Sequence, residues 1–265
     1  MNTNTKSGYL EVGILALIVI LSVFVWADDI PYGLREVNYI QSSRPNVSAY
    51  SPANISAQAG NVTELSLVGV STTQAWQGYY GNITGILTLE DSLGFVFYNW
   101  TANEPKGEIF ASVNYTVDWL NIVCFEWTGQ TITLEGEEAR YGIGDDASDG
   151  INETFGNDGL NSDIFVGSRN LTSNATDLGI TCHTTNPFQY GNQNSSVDDF
   201  ENFLLTDGAG ALVFGAVIEN NQFDNMTDPL GYDNQPHDFQ LLVAEDGHQG
   251  QEDYTTTYYF WAEIQ

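Results

Sequence analysis

Oxygen-bearing side chains are densest in the run Gly142-Ile143-Gly144-Asp145-Asp146-Ala147-Ser148-Asp149-Gly150-Ile151-Asn152-Glu153. Calcium takes about six to eight oxygen ligands from a tightly turning backbone, and Asp mixed with Gly supplies both requirements. Asp145, Asp149 and Glu153 stand at the first, fifth and ninth positions of an EF-hand-like loop, with Gly150 at the sixth. Ala147 at the third position and Gly156 at the twelfth break that motif. What remains is a looser Ca²⁺ loop on Asp145, Asp149 and Glu153, with Asn157 to Asp163 as a further source of oxygens. The competing reading is a solvated turn in a chain that is acidic everywhere.

Catalytic patterns are weaker. The chain has no GxSxG, HExxH, P-loop or GxGxxG, the spacings that build a nucleophile elbow, a zinc site or a phosphate cradle. His237-Asp238 and Asp246-Gly247-His248 have the residue types of a base with its orienting acid. Neighbours in sequence point apart on a strand, so they read as surface loop residues. With 35 acidic residues, two carboxylates can always be imagined at glycosidase spacing, and the pairing carries no information. Trp76, Tyr79, Tyr80, Trp100, Trp119, Trp127, Tyr258, Tyr259 and Trp261 suit stacking on sugars, but in β-proteins such residues more often fill the core. The chain is therefore read as non-catalytic, with no cofactor beyond the Ca²⁺ candidate.

Two signals bear on the compartment. Cys124 and Cys182 are the two cysteines of the chain, and a single disulfide is the simple reading in an oxidising environment. There is no CxxC, and His183 beside Cys182 does not make a zinc site. Asn-x-Ser/Thr triplets occur at Asn46, Asn54, Asn61, Asn82, Asn99, Asn114, Asn152, Asn170, Asn174, Asn194 and Asn225. With 24 Asn and 40 Ser plus Thr in 265 residues, about four are expected by chance; eleven are present. The excess predicts N-linked glycans on an exported surface.

Charge narrows the partners. Thirty-five acidic against 6 basic residues give a net charge of −29, and no Lys or Arg follows Arg169. Nucleic acid is excluded as a natural partner, because phosphate binding needs clustered basic residues. An anionic lipid surface is disfavoured for the same reason. Apolar residues at 42% and aromatic ones at 13% suffice for a packed core.

These groups need a scaffold, and the chain divides into three parts. Residues 1–30 contain an apolar run, Val12 to Ala27, interrupted by Gly13 and Ser22. It reads either as a short membrane-spanning helix, extended through Tyr9 and Leu10, or as a secretory signal with Val25-Trp26-Ala27 before the cut. In both readings Lys6 stays inside, and the acidic remainder crosses the membrane. Residues 31–60, with three prolines, read as a linker or stalk. Residues 61–265 read as one extracellular domain, mainly β.

Within it, short apolar or alternating runs recur between Gly, Asn, Asp and Pro. Strands are expected at Glu64–Val70, Ile83–Glu90, Phe95–Trp100, Glu108–Val113, Ile122–Trp127, Thr131–Leu134, Ile164–Val166, Phe200–Thr206, Leu212–Ile218, Phe239–Ala244 and Thr255–Ile264. Asp91-Ser92-Leu93-Gly94 predicts a hairpin turn. Residues 142–163 read as a loop-like insertion. The fold class expected is an N-terminal hydrophobic α-helix followed by an antiparallel β-sandwich or jelly roll.

The layout resembles archaeal cell-surface proteins of the type IV pilin-like kind. A short polar leader carries Lys6 and Gly8, Glu11 lies near the start of the apolar helix, and a sequon-rich β-domain follows. Ser7 separates Lys6 from Gly8, and the helix stops early at Asp28-Asp29-Ile30-Pro31. Trp76 to Gly85 is similar to strands in archaeal surface proteins. The resemblance implies a structural subunit of an extracellular filament or coat. Its partners would be copies of itself, the membrane through the N-terminal helix, and N-linked glycans. The alternative is a membrane-anchored glycosylated adhesin or binding module, stabilised by Ca²⁺.

Overall fold

The structure is a computed structural model and describes residues 30–42, 54–67, 73, 75–102, 105–127, 132–144, 147–156, 164–167, 169–171, 182–187, 199–219, 229–245 and 255–264. The N-terminal apolar run lies outside them. Among the described residues, no helix is long and apolar enough to cross a membrane.

The described chain is mainly β, with antiparallel sheets and two short α-helices. Its strands are β1 (Tyr32–Gly33), β2 (Trp76–Gly81), β3 (Gly85–Glu90), β4 (Val96–Ala102), β5 (Gly107–Ser112), β6 (Val123–Cys124), β7 (Phe165–Val166), β8 (Arg169–Asn170), β9 (Thr184–Thr185), β10 (Asn202–Thr206), β11 (Leu212–Ile218), β12 (Phe239–Ala244) and β13 (Tyr259–Ile264). The helices are α1 (Leu134–Arg140) and α2 (Ile151–Phe155). Seven strands form one sheet in the order β1-β13-β5-β11-β10-β6, with β9 also on β10. The pairs β2–β12, β3–β4 and β7–β8 form separate two-stranded ribbons.

The central strands are apolar on both faces, because both faces are covered. In β11, Leu212, Phe214 and Ala216 face one cluster, with Ile109 and Ala111 of β5 and Leu204 of β10. Leu241 and Val243 of β12, and Ile151 and Phe155 of α2, close it from above. Val213 faces the opposite side, where Phe110, Phe203 and Trp261 pack with Trp119, Ile164 and Val166. A continuous apolar run such as Leu212–Ile218 is the signature of a strand buried on both faces.

Asn202 ties the β2–β12 ribbon to the large sheet. Its fully buried side chain donates to the Gln240 carbonyl at 2.7 Å and accepts the Leu242 N–H at 2.8 Å. A side-chain amide thus substitutes for a strand neighbour along β12.

Cys124 and Cys182 are bonded, with Cα atoms 4.8 Å apart. β6 pairs with Leu205 and Thr206, and β9 with Asn202 and Phe203, so the bond links β6 to the segment two residues before β9, on the same edge of β10. Strands this short hold an edge poorly without a covalent link.

Several expectations change. Thr131–Leu134 does not form a strand at its described end: the Thr133 hydroxyl accepts the Gly136 N–H at 3.2 Å and caps α1. A Thr ahead of a helix start satisfies an otherwise orphaned donor. Ile122–Trp127 shrinks to Val123–Cys124, and the described part of Glu64–Val70 is not a strand. The loop-like stretch 142–163 contains α2, whose Ile151 and Phe155 are fully buried. The expected linker 31–60 contributes Tyr32 and Gly33 to the sheet, opposite Ala262 and Trp261.

Candidate functional site

Among the described strands, β3 and β4 carry most of the exposed large apolar side chains. The turn is built as its sequence requires. The Asp91 carboxylate accepts the N–H groups of Leu93 and Phe95 at 2.9 and 3.0 Å, and Gly94 takes a φ of +83°. Asp commonly folds back on the backbone two residues on, and glycine reaches positive φ without steric cost. The register shifts between Leu89 and Glu90, which pair with Tyr98 and Val96, leaving Phe97 as the extra residue of a bulge.

Cross-strand partners share a face, so the register sorts the ribbon. Leu87 lies opposite Trp100, and Leu89 opposite Tyr98, on one face. Thr88 lies opposite Asn99, and Ile86 opposite Thr101, on the other. Leu87, Leu89, Tyr98 and Trp100 are 47%, 50%, 55% and 51% exposed. None of them belongs to a buried cluster. Tyr98 and Trp100 meet edge-on, with ring centroids 4.7 Å apart. Within the ribbon the charged residues are Glu90 and Asp91, at the tip. The arrangement is an amphipathic ribbon with an unpartnered apolar face, the kind of surface that marks a binding site.

A second feature is buried. Glu108 of β5 and Glu263 of β13 are direct partners in the register, and both are buried. Glu108 accepts the Phe165 N–H at 3.1 Å, and Glu263 accepts the Gly167 N–H at 2.7 Å, so the two carboxyls grip one turn. Burial pushes Glu108 up to about 8, against the Phe165 N–H and with the Glu263 charge adding to the rise. Its Oε2 has no hydrogen-bond partner. Glu219, just past β11, is pushed up to about 7 by burial, with Asp199 and Glu201 nearby, although the Phe200 N–H opposes the rise. Neither was singled out in the sequence. The residues that bury Glu108 come from strands far apart in the chain, and composition cannot show that.

Of the three expected Ca²⁺ residues, Asp149 and Glu153 are described. Asp145 lies outside the described residues. Asp149 accepts the Thr73 hydroxyl at 2.5 Å through its carboxylate and the Trp76 indole N–H at 2.8 Å through its carbonyl. Glu153 and Glu138 both place a carboxylate oxygen against Gly150. A Cβ at Gly150 would lie 2.6 Å from Glu153 Oε2 and 2.8 Å from Glu138 Oε1, so only glycine admits both. Glu138 Oε1 accepts the Ile151 N–H at 2.9 Å and thereby holds α2 onto α1. Among the described residues, no group of three or more His, Cys, Asp or Glu is arranged to hold a metal ion.

His237 and Asp238 take separate partners. His237 Nε2 lies 2.9 Å from Asp233, while Asp238 turns inward and accepts the Ile83 N–H at 2.6 Å. Asp246 and His248 lie outside the described residues. Of the aromatic residues, Trp119 and Trp261 are core and meet edge-on, with Trp119 tilted against Phe110. Trp100 is on the open ribbon. Among the sequons, Asn54, Asn61, Asn82 and Asn99 are exposed. Asn114, Asn152 and Asn170 are half-buried, and the Asn114 amide donates to the Gly210 carbonyl at 3.0 Å. Asn46, Asn174, Asn194 and Asn225 lie outside the described residues.

No protein-family model, no curated protein and no solved structure matches the chain.

Proposed function

We propose that this chain is a structural subunit of an extracellular surface filament or coat, assembling with copies of itself and doing no chemistry. The observation that carries this reading is the β3–β4 ribbon, whose apolar face is half-exposed on a body of net charge −29. A monomer that stays dispersed has no use for such a face, whereas an assembling subunit needs one. The bonded cysteines support an oxidising compartment. Four exposed sequons support glycosylation outside the cell. The apolar run Val12 to Ala27 supplies a tether or a second assembly element, as in the pilin-like proteins that the layout resembles. With this reading goes a sandwich-type body, the β2–β12 ribbon forming the layer above the seven-stranded sheet.

Native material decides it. Filaments or a lattice containing this chain, seen by negative-stain microscopy of a cell wash, are the expected result. A detergent-dependent monomer, with no assembled form on the cell, overturns the reading in favour of an anchored binding module.

A further inference from the structure

We infer that Glu108 and Glu263 share one proton across the β5–β13 pair, and that this proton latches the β7–β8 ribbon onto the large sheet and releases it on leaving. The inference is independent of the self-assembly reading; it adds a pH-sensitive device to the fold. The β7–β8 ribbon stands apart from the seven-stranded sheet. The two carboxyls bridge that gap, accepting the N–H groups of Phe165 and Gly167 at 3.1 and 2.7 Å. Gly167 takes a φ of +63°, which glycine reaches without steric cost.

Position calls for a proton between them. Glu108 and Glu263 are direct cross-strand partners, which puts their Cβ atoms about 4.5–5.5 Å apart on one face. They are 3% and 7% exposed. Phe110 and Trp261, two residues away on the same face, belong to the apolar cluster that also holds Ile164 and Val166. Two like charges placed so close, with so little water, do not both persist. The hydrogen bonds indicate which one stays. The 2.7 Å bond to Glu263 has a charge-assisted length, and the 3.1 Å bond to Glu108 a neutral one. Glu108 Oε2 is buried without a hydrogen-bond partner; protonated, it donates to the Glu263 carboxylate and is satisfied.

Among the described residues, the charged groups of the surrounding elements are Arg169, Glu201, Glu219 and Lys106. Arg169 of β8 directs its guanidinium to the carbonyls of Trp119, Leu120 and Ile122. β11 places Val217 opposite Glu108, and Glu201 lies beyond Val217, whose N–H donates to the Glu201 carbonyl. Glu219 accepts the Phe200 N–H, and Lys106, ahead of β5, is exposed. The charge that bears on Glu108 is that of Glu263, and burial holds the Glu108 proton up to about pH 8. The latch is therefore closed at neutral pH and opens as pH rises through that value. Two carboxylates then adjoin in apolar surroundings, and their way to water is outward, under the turn that covers them.

The test uses the full chain, from about pH 6 to about pH 10. Infrared spectroscopy reads the carbonyl band of a protonated carboxyl. Hydrogen exchange, corrected for the intrinsic rate, reads the protection of Phe165 to Gly167. In the wild type the band should titrate away near pH 8, and protection of the turn should fall at least about ten-fold while that of β5 and β11 holds. Glu108→Gln keeps a donor toward Glu263 but does not titrate. It should lose that band, which separates it from any band of Glu219, and keep the turn protected throughout. Should this variant not fold, Glu263→Gln replaces it: with the like charge gone, the band should disappear at lower pH. A wild type without a titrating band overturns the shared proton, and so does a band that neither substitution alters. A band that titrates while the turn stays protected overturns the latch. So do an equal loss of protection across the sheet, which is global unfolding, and a Glu108→Gln turn that still opens.

Discussion

Phe214 and Phe97 sit in strands of similar apolar character, yet Phe214 is fully buried and Phe97 is 85% exposed. The strand of Phe214 has β5 and β10 on its two sides, β12 and α2 above, and Trp119 and β7 below. The strand of Phe97 has β3 on one side. The difference shows that an apolar strand states a demand for cover without saying where the cover comes from. In the body, other segments of the same chain meet that demand. On the ribbon it is left over, and the proposed assembly of copies would meet it from outside.

The widest separation between the two regions is expected on truncation. Phe214→Ala opens a cavity in the closed core and costs about 3–5 kcal/mol, read as a large fall in chemical-denaturation midpoint. A cost below about 1 kcal/mol would mean the body is as loose as the ribbon. Removing the disulfide with Cys124→Ala and Cys182→Ala comes next. The bond closes 58 residues of sequence, and the chain-entropy model gives about 4 kcal/mol for a loop of that size. An unchanged denaturation midpoint, with β6 and β9 still protected in hydrogen exchange, would show that the β10 edge does not depend on the bond.

Asn202→Ala leaves the Gln240 carbonyl and the Leu242 N–H without their buried partner, for about 1–3 kcal/mol. An unchanged midpoint would show that β12 is held by apolar packing alone. The pH dependence of the body is smaller. Glu108 and Glu219 rise in the fold from 4.5 to about 8 and about 7, so between those values the folded state holds protons that the unfolded state releases. Their contribution is complete below about pH 4.5 and is lost as pH rises through 7 and 8. The melting temperature should fall from pH 5 to pH 8.5 by at least the worth of one pKa unit, about 1.4 kcal/mol, and Glu108→Gln should flatten the fall. A profile that rises over this range would place charged, not protonated, carboxyls inside the body. The smallest effect is expected at Phe97→Ala, within about 0.5 kcal/mol of folding stability. Its consequence belongs to assembly.

The hairpin turn was legible because its determinants are local. Asp91 and Gly94 need three residues of context and no distant partner. Leu212–Ile218 and Phe239–Ala244 were legible because unbroken apolar runs of that length have few other uses. The two helices were not. Leu134–Arg140 carries three glutamates in seven residues and presents no broad apolar stripe; its identity lies in the Thr133 cap and in Glu138 reaching Ile151. Trp76–Gly81 resembled known strands, but that it would pair with Phe239–Ala244 was not visible across the intervening chain. The Ca²⁺ expectation rests on spacing along the sequence; what the sequence does not show is that Asp149 meets Thr73 and that Glu153 lies against Gly150.

Composition by itself determined that the chain repels polyanions, holds enough apolar residues for a core and carries one pair of thiols, because these are sums over residues and independent of order. Short apolar or alternating runs between turn residues determined most of the strands, because a strand buried on both faces needs apolar side chains throughout and one buried on a single face needs them at every second position. Only the tertiary structure decided which apolar faces are covered and which carboxyls are buried. Those outcomes depend on the meeting of segments as distant as Glu108 and Glu263, and such meetings are selected by the free energy of the whole fold.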